Sequence, residues 1–388
     1  MTPLSAEARA HLIWALTDGV GPVLFKRILT HFGSAETALG ASAGSLASIK
    51  GVGGKKADRI AADLSDKRAD EEIAVAQEHG VNIVAQCDAV YPPGLKHIED
   101  APIVLFVRGE LRETDAISIA IVGSRRCSIY GSEQARRFGE LLAGAGFSII
   151  SGLARGIDAF AQHGALDAGG RSIGVLGNGL REIYPPENRA LAERVAESGA
   201  LVTELPMRTA VRAENFPSRN RIIAGMSLGT LVVEAADRSG ALITARLACE
   251  YNREVFALPG RATDPMSQGT NRLIRDGAAR LTMCLEDVLD ELGAVGARMR
   301  GVPASESSSP GADGLFAGTR DGGNEPSTPQ PMTEIEAKLF AAIPTDPVLT
   351  DHVLQSASLP VGEALAAMTA LELKGAIRRL PGQRVARR

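Results

Sequence analysis

A chain of 388 residues with 45% hydrophobic side chains is globular and long enough for two or three domains. A net charge of −4 and a pI near 6.0 require any nucleic-acid-binding surface to be local, and 4% aromatic content leaves little for a broad base-stacking platform. No apolar run reaches the ~20 residues of a bilayer span, MTPLSAEARAH lacks the basic start and apolar core of a signal peptide, and four scattered cysteines (Cys87, Cys127, Cys249, Cys284) argue against structural zinc or a disulfide framework and for a reducing, cytoplasmic setting.

Residues 1–80 read as helical. Two similar turns, Gly19-Val-Gly21-Pro and Gly51-Val-Gly53-Gly-Lys, separate apolar helical patterns. Hairpins of this kind can hold a DNA phosphate, with Lys26, Arg27, Lys55 and Lys56 nearby; equally, glycine permits a tight turn, and the acidic 63–72 stretch offsets the lysines. From 81 to 295 short apolar runs alternate with helical patterns. Strands are expected at 81–84, 104–107, 117–122, 148–150, 172–176, 201–203, 230–234, 254–258 and weakly at 280–283, with the first two as extra edge strands. The rest predict a parallel, doubly wound sheet with helices on both faces, including helices over 131–145 and 156–168. Residues 296–331 hold seven Gly, five Pro and five Ser, the composition of a flexible linker. Beyond it, helical patterns at 333–343, 350–357 and 361–374 and a closing hairpin predict a winged helix over 332–388. Its last residues from Lys374 carry six basic and no acidic side chains, which suits DNA, a protein partner or mere solubility.

The loops after the strands carry the chemistry. Arg219 and Arg221 lie in Asn215-Phe-Pro-Ser-Arg-Asn-Arg-Ile-Ile-Ala-Gly225, where a packing core would avoid unpaired guanidiniums and a phosphate would welcome them. Arg125 follows Gly123-Ser124 after one strand; Arg155 lies within Ser151-Gly152…Gly156 after the next, with Ser151 able to donate a hydroxyl and Asp158 placed to cap locally. Gly177 and Gly179 follow a third. Four arginines, Arg125, Arg155, Arg219 and Arg221, are expected to converge on one anion pocket at the carboxyl edge of the sheet. Enzymatic signatures fail on context. Ser172 of Gly170-Arg-Ser-Ile-Gly174 begins a strand rather than following one, Gly53-Gly-Lys55 lacks a P-loop, and no His/Cys/Asp/Glu group has metal-ligand spacing.

These stretches, with Glu234-Ala…Arg238-Ser-Gly-Ala-Leu-Ile-Thr244 and Val255-Phe-Ala-Leu-Pro-Gly260, make the chain resemble the DprA (Smf) family of DNA-processing proteins, strongly over 81–292. The resemblance implies an extended Rossmann fold that binds and protects incoming single-stranded DNA in transformation and recombination and hands it to the RecA recombinase. It further implies a homodimer, no enzymatic activity and no cofactor. DNA contacts then fall to Gly123, Ser124, Arg125, Ser151, Gly152, Arg155, Gly156, Gly177, Gly179, Arg189, Phe216, Arg219, Asn220, Arg221, Ser239, Gly240 and Thr244. The dimer contact falls near Leu247, Cys249, Asn271, Leu273 and Ile274. In one departure, Pro186 stands where some members have a basic residue, with Arg189 as the substitute. The alternative is a nucleotide-processing enzyme of the lysine-decarboxylase-like group, but Gly229-Thr-Leu-Val-Val-Glu234 is one residue too long for that group's motif.

Overall fold

In a computed structural model the chain is described over residues 3–300, 333–344, 348–349, 353, 367–368, 371, 376–380 and 384–387. Six helices open it: α1 (Ala6–Leu16), α2 (Pro22–Phe32), α3 (Ala35–Leu39), α4 (Ala43–Ala47), α5 (Gly54–Asp63) and α6 (Asp66–Glu78). Serine caps at Ser5, Ser34, Ser42 and Ser65 start four of them, each hydroxyl accepting a first-turn amide. Their buried side chains, led by Leu12, Trp14, Phe25 and Ile28, form one continuous apolar cluster with Phe106, Leu153, Leu176 and Met207 of the sheet region. The helical segment is therefore fused to the sheet region, and both belong to one unit, Met1–Ser308; Ser309–Arg388 form a second.

The sheet has nine strands: β1 (Val81–Ala85), β2 (Val104–Gly109), β3 (Ser118–Val122), β4 (Ser148–Ser151), β5 (Ser172–Val175), β6 (Ala200–Thr203), β7 (Gly229–Val232), β8 (Glu254–Ala257) and β9 (Arg280–Leu281). Their order is β1-β2-β6-β5-β4-β3-β7-β8-β9. β1 and β2 form the antiparallel extension at one edge, and all pairs from β6 to β9 are parallel. Between the strands run α7 (Pro93–Lys96), α8 (Ile129–Gly144), α9 (Ile157–Asp167), α10 (Arg189–Ser198), α11 (Asn215–Met226), α12 (Ala241–Glu250), α13 (Gln268–Arg275), α14 (Leu285–Glu291) and α15 (Ala294–Met299). α8 and α9 cover one face, and α11 and α12 cover the other, so β3, β4 and β7 are buried on both sides and read as unbroken apolar runs. The chain leaves β6 and returns to β7 beside β3. That makes the gap between β3 and β7 the topological switch point, where open α/β sheets bind ligands.

Two differences from expectation have local causes. The final strand stops at Leu281 because Asp287 takes the amides of Met283 and Cys284 to begin α14. α15 continues to Met299, so the first residues of the expected linker at 296 are helical; 301–331 lie outside the described residues. In the second unit, α16 (Glu334–Ala342) precedes a three-stranded sheet ordered β10 (Val348–Leu349), β12 (Arg384–Arg387), β11 (Ile377–Leu380), the wing of a winged helix. Leu339, Ile343, Val353, Met368, Leu371, Ile377 and Val385 form its core. Most of the helical stretches expected at 350–357 and 361–374 lie outside the described residues.

Candidate nucleic-acid interface

A cavity of about 690 Å³ opens at the switch point. Gly123, Ser124 and Arg125 enter it from the end of β3, and Phe216, Arg219 and Asn220 from α11. Arg238, Ser239, Gly240 and Thr244 enter from the loop after β7 and the start of α12. A smaller cleft beside it is lined by Arg125, Gly152, Arg155, Tyr184 and Phe216. The guanidinium of Arg125 lies 5.1 Å from the centre of the Phe216 ring, and Tyr184 tilts against the same ring at 5.8 Å. Arg125 and Arg238 are both exposed, and neither is in an ion pair among the described residues.

The three helix starts at this edge differ. At α8, Glu234 is 1% exposed and accepts the amide of Ser128 at 2.9 Å as well as its hydroxyl. At α9, the carboxylate of Asp158 accepts the amides of Gly152 at 3.0 Å and Ala154 at 3.4 Å. Burial pushes the Asp158 carboxyl up, while Arg219 and those amides pull it down. A carboxylate of the protein thus stands at the α8 start, where a bound phosphate would sit in a dinucleotide fold, and another holds the β4 exit loop that leads into α9. Among the described residues no carboxylate accepts an amide at the start of α12: its first amide meets the Ser239 hydroxyl, at 3.3 Å, and the next two meet turn carbonyls. Glu234, on which the nucleotide-processing alternative leaned, is consumed in this capping.

Arg219 and Arg221 correct the expectation that a core would refuse them. They are 5% and 8% exposed. Two positions apart on a helix, they point about 160° away from one another, so they cannot share a ligand. Arg219 donates to the carbonyls of Gly152, at 2.7 Å, and Val175, beside Asp158; burial lowers its pKa to about 10. It ties the ends of β4 and β5 together, and its Nε has no partner. Arg221 faces away from the cavity, against Asp100 at 3.1 Å and Glu204 at 2.5 Å, with Tyr251 donating to Asp100 at 3.0 Å. Buried guanidiniums are tolerated here because carbonyls and carboxylates were built around them. The four arginines therefore do not converge: Arg125 and Arg219 line the cavity, Arg155 lines the cleft with its head on Glu187, and Arg221 is elsewhere.

Other expected contacts serve the scaffold. Ser151 is buried and donates its hydroxyl to the Ile121 carbonyl at 2.6 Å, so it offers nothing to a ligand. Gly156 has φ +72°, and a Cβ there would lie 2.3 Å from the Ser124 carbonyl oxygen; it lets the β4 exit loop press against the β3 exit loop. Gly177 abuts the Phe216 ring, and a side chain at Gly179 would strike the Met207 carbonyl at 2.2 Å. Arg189 is exposed at the start of α10 and lines neither recess. Cys249 is exposed and Ile274 half-buried, but the carboxamide of Asn271 is spent on both backbone groups of Gly260, each at 3.1 Å. Arg238 was the omission. Its signal was the same as that of Arg125, a basic residue beside glycine at a strand exit, but one strand further along the edge.

An open, mostly parallel α/β sheet with a recess at its switch point defines a Rossmann-type protein. The chain belongs to the DNA recombination-mediator protein A family, whose sequence profile matches residues 82–293. A DprA winged helix domain profile matches 323–383, and a SAM-like helix-hairpin-helix tandem matches 17–66. Protein Smf of Synechocystis is 34% identical over 99% of this chain and 100% of its own length, and Protein Smf of Escherichia coli is 42% identical over 75% and 74%. The X-ray structure of DNA processing protein A from Streptococcus pneumoniae superposes with a TM-score of 0.65 at 31% identity, covering 75% of this chain and 99% of that one. DNA processing protein A from Helicobacter pylori, described by its single-stranded DNA binding mode, superposes at 0.50 with 28% identity over 55% and 95%.

Proposed function

We propose that the protein is a non-catalytic single-stranded DNA-binding mediator that shields incoming strands and hands them to the RecA recombinase. The observation that carries this reading is that Arg125 and Arg238, both exposed and without ion pairs among the described residues, line one cavity together with the Phe216 ring. Guanidiniums seat a phosphate, and the Phe216 ring offers a base an aromatic surface. The polar groups lining the cavity are otherwise hydroxyls, the Asn220 amide, the Arg219 guanidinium and Asp158, which is committed to two backbone amides; no nucleophile among them faces a base. The family's name as a recombination mediator and the strand-binding relative from Helicobacter pylori support the same reading.

Self-association belongs to the proposal. Leu281, in the terminal strand β9, and Met283, just past it, are 40% and 61% exposed; Cys249 of α12 is exposed and Ile274 of α13 half-buried. An apolar flank at an open sheet edge invites a second copy, and a dimer would let one strand cross two recesses. The deciding experiment is a gel shift of oligo(dT) and duplex DNA across a salt series. Single strands should bind more tightly, with little base preference and a log–log salt slope of about −0.7 per phosphate contact. A flat salt dependence would sink the reading.

A further inference from the structure

The apolar cluster of the helical segment extends to the carboxyl edge of the sheet. Leu153 after β4, Leu176, Leu180 and Ile183 after β5, and Met207 after β6 are buried in the same cluster as Leu12, Trp14 and Phe25. One polar tie accompanies this packing. Glu72 of α6 is half-buried, and its carboxylate accepts the backbone amide of Met207. Burial pushes the Glu72 carboxyl up, while the Met207 amide pulls it down. Among the described residues this is the one side-chain hydrogen bond from the helical segment to a strand exit.

From Met207 the contacts run on to the cavity. The β6 exit packs against the β5 exit: Gly179 donates its amide to the Thr209 carbonyl at 2.9 Å, and Arg181 donates its own to the Met207 carbonyl at 3.3 Å. A Cβ at Gly179 would lie 2.3 Å from the Pro206 carbonyl oxygen, so no slack separates the two loops. Both loops then supply cavity wall. Tyr184 comes from the β5 exit, Val211 and Ala213 from the β6 exit, and Phe216 follows at the start of α11. Gly177 backs the Phe216 ring, Tyr184 tilts against it, and the Arg125 guanidinium lies over it. The ring that offers a base its surface is thus held by two loops, and those loops by α6.

Resting on the single-strand function proposed above, we infer that Glu72 is a positioning residue: through Met207 and the β5 exit it fixes Phe216 for the incoming base. The helical segment then sets the affinity of a cavity to which it contributes no lining residue. The physical reason is preorganisation. A ring held in place before the strand arrives loses little freedom on binding, whereas a loose loop must be ordered at the expense of affinity. Coupling of this kind passes through packed, hydrogen-bonded chains of residues. Electrostatics alone predicts the opposite sign, because removing a carboxylate makes a surface less hostile to a polyanion.

The test uses full-length protein, with circular dichroism to confirm that each variant is folded. Glu72→Ala should weaken oligo(dT) binding about fivefold, the scale of coupling through such a chain. Glu72→Asp keeps the charge but is one methylene short of Met207, and should behave like Glu72→Ala. Glu72→Gln keeps an oxygen that accepts the amide, and should bind close to the parent. In a Phe216→Ala background, Glu72→Ala should cost nothing further, because its route to the strand is already gone. Amide hydrogen exchange of the free protein supplies a DNA-independent arm. In Glu72→Ala, Gly179 and Phe216 should exchange faster, although the substitution removes neither of their own hydrogen bonds, to Thr209 and Ala213. Unchanged oligo(dT) affinity in both folded Glu72→Ala and Glu72→Asp, losses that add in the Phe216→Ala background, or unchanged exchange at Gly179 and Phe216 would overturn the inference. A parent protein that does not bind oligo(dT) would instead sink the proposed function, and exchange alone would then decide whether Glu72 holds the loops.

Discussion

In α11, Arg219 and Arg221 stand in an apolar run and are almost wholly enclosed; in the loop after β7, Arg238 stands in a polar run and is exposed without an ion pair. Both segments border the same cavity. The difference follows from desolvation. A guanidinium surrounded by Ile222, Ile223 and Ala224 is buried with its helix, so the fold has to supply its acceptors, and those acceptors hold it in place. A guanidinium in a polar loop keeps its water until a ligand displaces it. An arginine conspicuous against apolar neighbours is thus evidence for a buried polar joint, and the ligand-facing arginine is the one that composition hides.

The largest expected effect tests the buried side of that contrast. Arg219→Ala removes the donor to Gly152 and Val175 and strands the Asp158 carboxylate, at a cost of about 3–5 kcal/mol of stability in urea unfolding. Arg219→Lys should not rescue it, because one ammonium cannot reproduce the planar fork. Arg238→Ala should stay within about 0.5 kcal/mol of the parent, as exposed substitutions do. An Arg219→Ala protein of full stability that has lost DNA would reverse the assignment of the two segments.

Next come the exposed pair. Arg125→Ala and Arg238→Ala should each weaken oligo(dT) binding about tenfold, equally for all sequences, and flatten the salt slope by about 0.7. A changed base preference at unchanged affinity would assign them to base reading instead. Ile274→Glu probes a third kind of site, neither buried joint nor pocket. It should give folded monomers that bind short strands normally and long strands several-fold less tightly, through lost avidity. Sedimentation together with circular dichroism decides it: a folded dimer in the variant, or a monomeric parent at micromolar concentration, contradicts the proposed interface.

Most of the fold was legible, because its signals are local. The buried parallel strands read as apolar runs, from Ile119-Ala-Ile-Val122 to Val255-Phe-Ala257, and the Gly-rich exits marked their carboxyl ends. The candidate site was legible in place but not in detail. Gly123, Ser124, Arg125, Phe216, Asn220, Ser239, Gly240 and Thr244 do meet at the cavity. What sequence hides is how a polar group is spent: Ser151 on Ile121, Asn271 on Gly260, Glu234 on Ser128 more than one hundred positions away. The partner of Glu234 is set by the strand order, which places β3 beside β7, and no spacing along the chain reveals it.

The smallest effect lies between the two classes of arginine. Arg155 is exposed, as a ligand-facing residue should be, yet its head is held by Glu187, whose carboxyl sits below its usual range because Arg155 hydrogen-bonds it. An exposed pair of this kind contributes little to folding, so Glu187→Gln should leave the unfolding curve in place. It should also free Arg155 toward the cleft that it lines with Gly152 and Phe216, and remove a negative charge from the strand's path. Oligo(dT) affinity should then rise about twofold to threefold, with a slightly steeper salt slope as one more cation reaches a phosphate. Arg155→Ala should lower affinity by a similar factor, less than Arg125→Ala, because Arg155 must first leave Glu187. If Glu187→Gln weakens binding instead, the carboxylate is orienting Arg155 for the strand rather than competing with it, and Arg155 then behaves as a held arginine like Arg219 despite its exposure.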